Sequence, residues 1–260
     1  MSKTIVKRLV NWKLFSVLLI ACIAANVAVL PYAFSLGLVR AEELPVPLPI
    51  AVLIQIAQAT LFFTVAIFFG LLLGKKMGLG ALFIESWLSN EKRKVGFASI
   101  LRFSAFLGIL IGAAIFVLDR SVFSIFVEPI TAFQATPPLW TRVLAGFYGG
   151  ITEEVGMRFF LMTLVVWITC KIKKTEDGRP TEIGVWLAII LISVLFGLGH
   201  LPMTARFTEI TTIVVLRAIL LNGIAGVTFG WLYWKKGLEA AMVSHFTTDI
   251  VLHVILPVLI

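Results

Sequence analysis

Residues 14–39, LFSVLLIACIAANVAVLPYAFSLGLV, contain no charged side chain. About 20 helical residues cross a bilayer core of about 30 Å, so this stretch is long enough to span one. Residues 44–74 are equally free of charge. Further apolar stretches run at about 95–118, 140–170, 183–205, 210–234 and 238–260. Seven spans are predicted, within a range of six to eight. The composition agrees, with 60% hydrophobic and 14% charged residues over 260 positions and a mean hydropathy of +1.03. A soluble domain carries roughly 45–50% and about 25%. The expected fold class is an all-α polytopic membrane protein, a bundle of about seven transmembrane helices. A net charge of +8 suits nucleic acid, but the cations sit in short clusters between apolar runs, as in membrane proteins. The lipid bilayer is therefore an expected partner and nucleic acid is not.

The clusters also sort by side. Lys3, Lys7, Arg8 and Lys13 precede the first span, and Lys75, Lys76, Lys92, Arg93 and Lys94 follow the second. Lys171, Lys173, Lys174 and Arg179 follow the fourth, and Lys235 and Lys236 follow the sixth. The opposite side holds only Arg40, Arg120 and Arg206. By the positive-inside rule the expectation is a multi-pass protein of the cell membrane with a cytoplasmic N-terminus. A lipoprotein signal ending at Cys22 is the competing reading of the N-terminus. Its apolar region would be about 7–15 residues, whereas this one runs to Val39, so a retained first span is expected. Between spans, residues 79–90 carry an apolar stripe and read as an interfacial helix. Residues 121–139, interrupted by prolines, read as a loop or a surface helix. The expected division is 1–138, three spans with that helix and loop, and 139–260, four spans carrying the chemistry.

An ionised residue at mid-membrane costs about 2.5–3.5 kcal/mol, so such residues face the bundle interior and mark function. Within the spans stand Arg102, Glu153, Glu154, Arg158, Arg217 and Asp249, with all three histidines. Glu154 and Arg158 are four apart, acid first, and meet on one helical face. Glu153 then points about 100° away and is free for another task. Gly146, Gly149, Gly150 and Gly156 give this helix a small-residue surface that neighbours can approach. The bland alternative is a buried ion pair that staples the bundle. His200 follows Phe196 and Gly197 at the end of the fifth span, where a lone histidine is commonly a hydrogen-bonded core residue. His245 and Asp249 share a face of the seventh span, with His253 one turn on and drifting off it. Alone, that pair suits a proton relay, half a metal site, a catalytic pair or a structural hydrogen bond.

Together these residues form the kit of an intramembrane hydrolase, in which a carboxylate activates water and histidines orient it or hold an oxyanion. EExxxR (Glu153, Glu154, Arg158), FxxxH (Phe196, His200) and HxxxD (His245, Asp249), in that order, resemble the signature of the CPBP (Abi) family. That family of intramembrane endopeptidases includes type II CAAX prenyl proteases and bacteriocin-processing proteins. The resemblance covers about residues 140–255. It implies a helical bundle with an intramembrane polar cavity, Glu153 as general base and His200 holding the attacking water. His245 and Asp249 would occupy the oxyanion positions, supported by Glu154 and Arg158. It also implies metal-free hydrolysis, so no cofactor is expected; zinc at Glu153, His200, His245 and Asp249 is the alternative. The expected partner is a membrane-associated peptide or protein substrate, either a prenylated CAAX protein or a leader peptide.

Two positions depart from the family pattern. Met157 and Phe159 stand where an aromatic residue and a glycine are common, which alters packing. Asp249 stands where many members carry asparagine. An ionised carboxylate would repel an oxyanion, so Asp249 must be protonated, orient His245, or ligate a metal. Two other classes compete with the peptidase. One is a non-catalytic immunity or scaffold member of the family; the other is a proton-coupled transporter, which the absence of an internal repeat disfavours. Depth poses a further problem. For the motifs to converge, the fifth span must end inside the membrane or residues 201–212 must dip back, which is allowed only where that backbone lines a polar cavity or is buried in protein.

Overall fold

The computed structural model describes residues 10–90, 96–126 and 137–259. Seven helices are long and apolar enough to span a membrane. They are α1 (Trp12–Ser35), α2 (Leu48–Met77), α4 (Phe97–Ile125), α5 (Leu139–Ile172), α6 (Glu182–Thr204), α7 (Thr212–Lys236) and α8 (Leu238–Leu259). A short helix, α3 (Leu82–Leu88), lies between α2 and α4. Among the described residues the only β pairing is a single bridge between Lys174 and Pro180. The protein is an all-α polytopic bundle, as the charge-free runs require.

Local chemistry sets the helix ends. The Asn11 side chain accepts from Leu14 N at the start of α1, and Thr181 accepts from Gly184 N at the start of α6, satisfying N–H groups the helix leaves unpaired. Helix α2 stops at Gly78 in the left-handed region, φ +72°. Gly237, φ +99°, makes the one-residue reversal between α7 and α8, a conformation disfavoured for side chains with a Cβ. Close helix contacts occur at small residues. Gly108 and Gly112 of α4 lie against Ser244 and Val251 of α8, and Gly226 of α7 lies against Ser193 of α6.

Three expectations change here. Arg102 is exposed on the second turn of α4 rather than turned inward; a long side chain near a helix end reaches the interface. Asp119, which the apolar run placed beyond the third span, lies within α4. The stretch 79–90 narrows to α3, with Phe83 in the core and Trp87 exposed. Helix α3 is fastened by a residue that periodicity did not mark: Glu239 Oε1 of α8 accepts from Phe83 N (2.9 Å) and Ile84 N (2.8 Å). Most of the proline-rich stretch, 127–136, lies outside the described residues, as do Lys3, Lys7, Arg8, Lys92, Arg93 and Lys94. Lys75, Lys76 and Arg179 line one small cavity with Trp234, so three of the basic clusters share one pole of the bundle.

Candidate active site

Helix α5 is not a regular α-helix where the glutamates sit. Residues Tyr148–Glu153 and Val155–Met162 are π-helical, the wider i→i+5 form that concentrates at functional sites. The expected α-helical register is corrected on that point, yet the predicted pair forms: Arg158 Nη1 donates to Glu154 Oε1 at 2.9 Å. Both side chains are fully buried, at 1% and 0% exposure. Arg158 Nη2 also donates to the Gly226 carbonyl of α7. The guanidinium lies over two rings, Phe196 of α6 (4.7 Å) and Phe229 of α7 (5.3 Å), contacts that stabilise a desolvated cation.

The same Glu154 oxygen accepts a second hydrogen bond, from His245 Nδ1 of α8 at 2.7 Å. That fixes which nitrogen faces the cavity. His245 Nε2 stands 3.8 Å from Glu153 Oε2 and 3.7 Å from Asp249 Oδ2. Phe229 stacks on the imidazole, with centroids 4.6 Å apart and planes at 20°, and Phe196 meets it edge-on. The ring is therefore held by one hydrogen bond and two aromatic walls. Glu153 differs from its neighbour in the way the local geometry allows. Its carboxylate is 26% exposed and lines a cavity of about 630 Å³.

His200 lines that cavity too, with Asp249, His245 and His253. Its Nδ1 donates to the Phe196 carbonyl at 2.7 Å, which leaves Nε2 as an acceptor in the neutral ring. Helix α6 turns at His200 and continues only to Thr204, and Met203 and Thr204 face the same space. Of the two settings the sequence left open for the end of α6, the structure shows the first, a cavity wall. His253 does not drift off the His245–Asp249 face, because Val251–Ile255 is also π-helical and the wider turn returns its side chain to the cavity.

All the predicted site residues meet around one buried centre, with Glu153, His200, His245 and Asp249 on the cavity and Glu154 and Arg158 behind it. Sequence reasoning missed Phe196 as a wall, Phe229, and the pair Asp119–Arg217, which also lines the cavity. Phe229 is one apolar residue among many in an apolar helix, and no spacing rule singles it out. Among the described residues, no three His, Cys, Asp or Glu side chains are grouped to hold a metal ion.

The glycine surface of α5 is what admits α8. A Cβ on Gly149 would overlap Asp249 Oδ2 and stand 3.0 Å from His245 Nε2. Gly149→Ala is expected to lower turnover by about 100-fold, the scale of a 1 Å misplacement, with a stability loss of about 1–3 kcal/mol. Gly156→Ala is the control, since its Cβ meets only the Phe62 ring at 3.7 Å. Cleavage rates and thermal unfolding of the two variants check this; equal rates would show that the close approach is dispensable.

Residues 135–251 match the family model described as type II CAAX prenyl endopeptidase Rce1-like. No curated protein and no solved structure matches the chain. The matched segment contains Glu153, Glu154, Arg158, His200, His245 and Asp249 and leaves α1 to α4 outside it. In the helices that build the cavity, this multi-pass membrane chain is therefore similar to the CPBP/CAAX proteases, over somewhat less than half of its length.

Proposed function

We propose that the protein is a glutamate-dependent intramembrane endopeptidase acting on a membrane-associated substrate, a prenylated CAAX protein or a leader peptide. The observation that carries this reading is the asymmetry of the two adjacent glutamates. Glu154 is fully buried and bonded to Arg158 and His245, whereas Glu153 is open to the cavity, with its nearest cation 3.8 Å away. An accessible carboxylate facing two imidazoles suits a general base.

In the proposed reaction, Glu153 takes a proton from a water held at His200 Nε2. The water oxygen attacks the peptide carbonyl carbon. The resulting oxyanion is held by His245 Nε2–H, while Nδ1–H stays on Glu154 and the ring is an imidazolium. Asp249, as the neutral acid, donates the second hydrogen bond; an ionised Asp249 would oppose the oxyanion. Glu153 then returns the proton to the leaving amine, the C–N bond breaks, and both products leave as stable molecules.

The reaction as written needs no metal, although the His245 Nδ1–Glu154 hydrogen bond is one that a metal-bound histidine also makes. No step is routed through one, and zinc on Glu153, His200, His245 and Asp249 is the alternative chemistry. The test uses detergent-purified protein, an S-farnesylated peptide ending in a CAAX box and a leader-type peptide, read by mass spectrometry with and without chelator. Cleavage that survives chelation is expected. Cleavage lost on chelation and restored by zinc would replace the mechanism. Binding of either peptide without cleavage would instead make the protein a non-catalytic member. The orientation expected from the basic clusters, with the N-terminus in the cytoplasm, belongs to the same reading. Cysteine-accessibility labelling of residues near Arg40 and Lys173 in intact cells tests it.

A further inference from the structure

A second cavity, of about 410 Å³, lies at the pole where α2, α5 and α7 end and α6 begins. None of its lining residues lines the cavity around Glu153. Lys75 and Lys76 come from the last turn of α2, Arg179 from the loop between α5 and α6, and Trp234 from the last turn of α7. The lining holds three cations and no acid.

The backbones that carry these cations are held in shape. Helix α2 stops just after the two lysines, at Gly78, whose φ of +72° turns the chain aside. The arginine sits in a bonded turn. Thr175 N donates to the Arg179 carbonyl and Arg179 N donates to Thr175 Oγ1, each at 3.0 Å, and the bridge between Lys174 and Pro180 closes the turn. Two acids stand nearby without cancelling the cluster. Asp177 Oδ2 is 3.0 Å from Arg179 Nε, but both side chains are mostly exposed, and such contacts are weak. Glu182 Oε1 is 4.0 Å from Lys235 Nζ, which does not line the cavity.

The surroundings choose among anions. Trp234 meets Trp186 of α6 edge-on, with centroids 6.1 Å apart, and Lys235 Nζ lies 3.3 Å from the Trp234 ring centroid. Lys171, near the end of α5, lies likewise over Trp167 at 5.6 Å. Tryptophans beside lysines at the ends of spans mark the membrane–water interface, the depth of lipid headgroups. The rest of the wall is apolar, built from Met77, Pro180 and Val185. A free phosphate has nothing to place against that wall, whereas a phosphate on a glycerol backbone does. Basic pockets between spans take such headgroups.

We propose that this cavity binds the phosphate of an anionic phospholipid, held by Lys75, Lys76 and Arg179, with its glycerol backbone against Met77 and Trp234. The lipid ties the end of α2, outside the family-matched segment, to the α5–α6 loop and α7 within it. Binding here does not depend on the peptidase reading and is measured without cleavage. The purified chain in dodecylmaltoside is titrated with phosphatidylglycerol or phosphatidylcholine of the same acyl chains, and bound lipid is counted by native mass spectrometry. Phosphatidylglycerol is expected to bind about tenfold to 100-fold more tightly, the scale of two or three basic side chains at an anionic surface. Arg179→Gln alone should lose part of that ratio, and Lys75→Gln, Lys76→Gln and Arg179→Gln together should bring it to about one. Lys171→Gln, Lys173→Gln and Lys174→Gln together remove the same charge from the same pole outside the cavity, and should leave it unchanged. Thermal unfolding without lipid confirms that each variant is folded. A ratio that survives the first triple change, or falls equally with the second, overturns the proposal. Inorganic phosphate and glycerol 3-phosphate form the soluble arm, and neither should displace the lipid at the same molar excess. Displacement by either would overturn the lipid assignment in favour of a soluble phosphate compound.

Discussion

Glu153→Gln is expected to lower the cleavage rate by about 10²–10⁴-fold, the contribution of a positioned general base, while the protein stays folded. The amide keeps the shape of the carboxylate but cannot take a proton from water. Little structure depends on the lost charge, because Glu153 is part-exposed and its nearest cation stands 3.8 Å away. Peptide affinity should therefore remain, so that kcat falls and KM does not. Cleavage rate, peptide binding and thermal unfolding, all measured on one preparation, check the three statements separately. A variant that cleaves at the wild-type rate would remove Glu153 from the chemistry and leave the family match without its base.

The opposite balance is expected one helical turn away. Arg158→Met should destabilise the protein by about 3–5 kcal/mol, the cost of breaking a buried pair from one side. Glu154 is fully buried, and without Arg158 its charge is answered by His245 alone. Methionine preserves much of the apolar stem against Phe196 and Phe229, so the loss reports chiefly on charge. Glu154→Gln combined with Arg158→Met should cost less than the sum of the two single changes, because no unpaired ion is left behind. Unfolding of the four proteins of this double-mutant cycle in one detergent measures the coupling. Additive losses would mean that the pair contributes nothing beyond its separate side chains.

The spans were readable because the signal that makes them, about 20 apolar residues bounded by lysine and arginine, is local. The ion pair Glu154–Arg158 was readable for the same reason, since four residues bring two side chains together in a π-helical turn nearly as well as in an α-helical one. Contacts between helices were another matter. Nothing in the neighbourhood of Asp119 names Arg217, 98 positions away, and nothing around Glu239 names the backbone of Phe83 and Ile84. The walls around His245 were hidden for a different reason. Phe196 and Phe229 sit in helices where a lipid-facing and a cavity-facing phenylalanine have the same surroundings in sequence. The π-helical stretches left no trace either, because hydrophobic periodicity over so few residues does not separate the two helix types.

The wide turns of α5 bear on how relatives of this chain would diverge. A π segment holds an extra residue that its flanking α-helical turns do not need. A descendant that lost one residue between Gly146 and Glu153 could relax this turn to an α-helix and keep the preceding helix in register with its neighbours. Its Glu153 would nevertheless swing by about 100° around the helix axis, away from the cavity. Such a chain would retain every letter of the motif with its first glutamate displaced, so a deletion of one residue here is expected to abolish the proposed cleavage although no motif residue has changed.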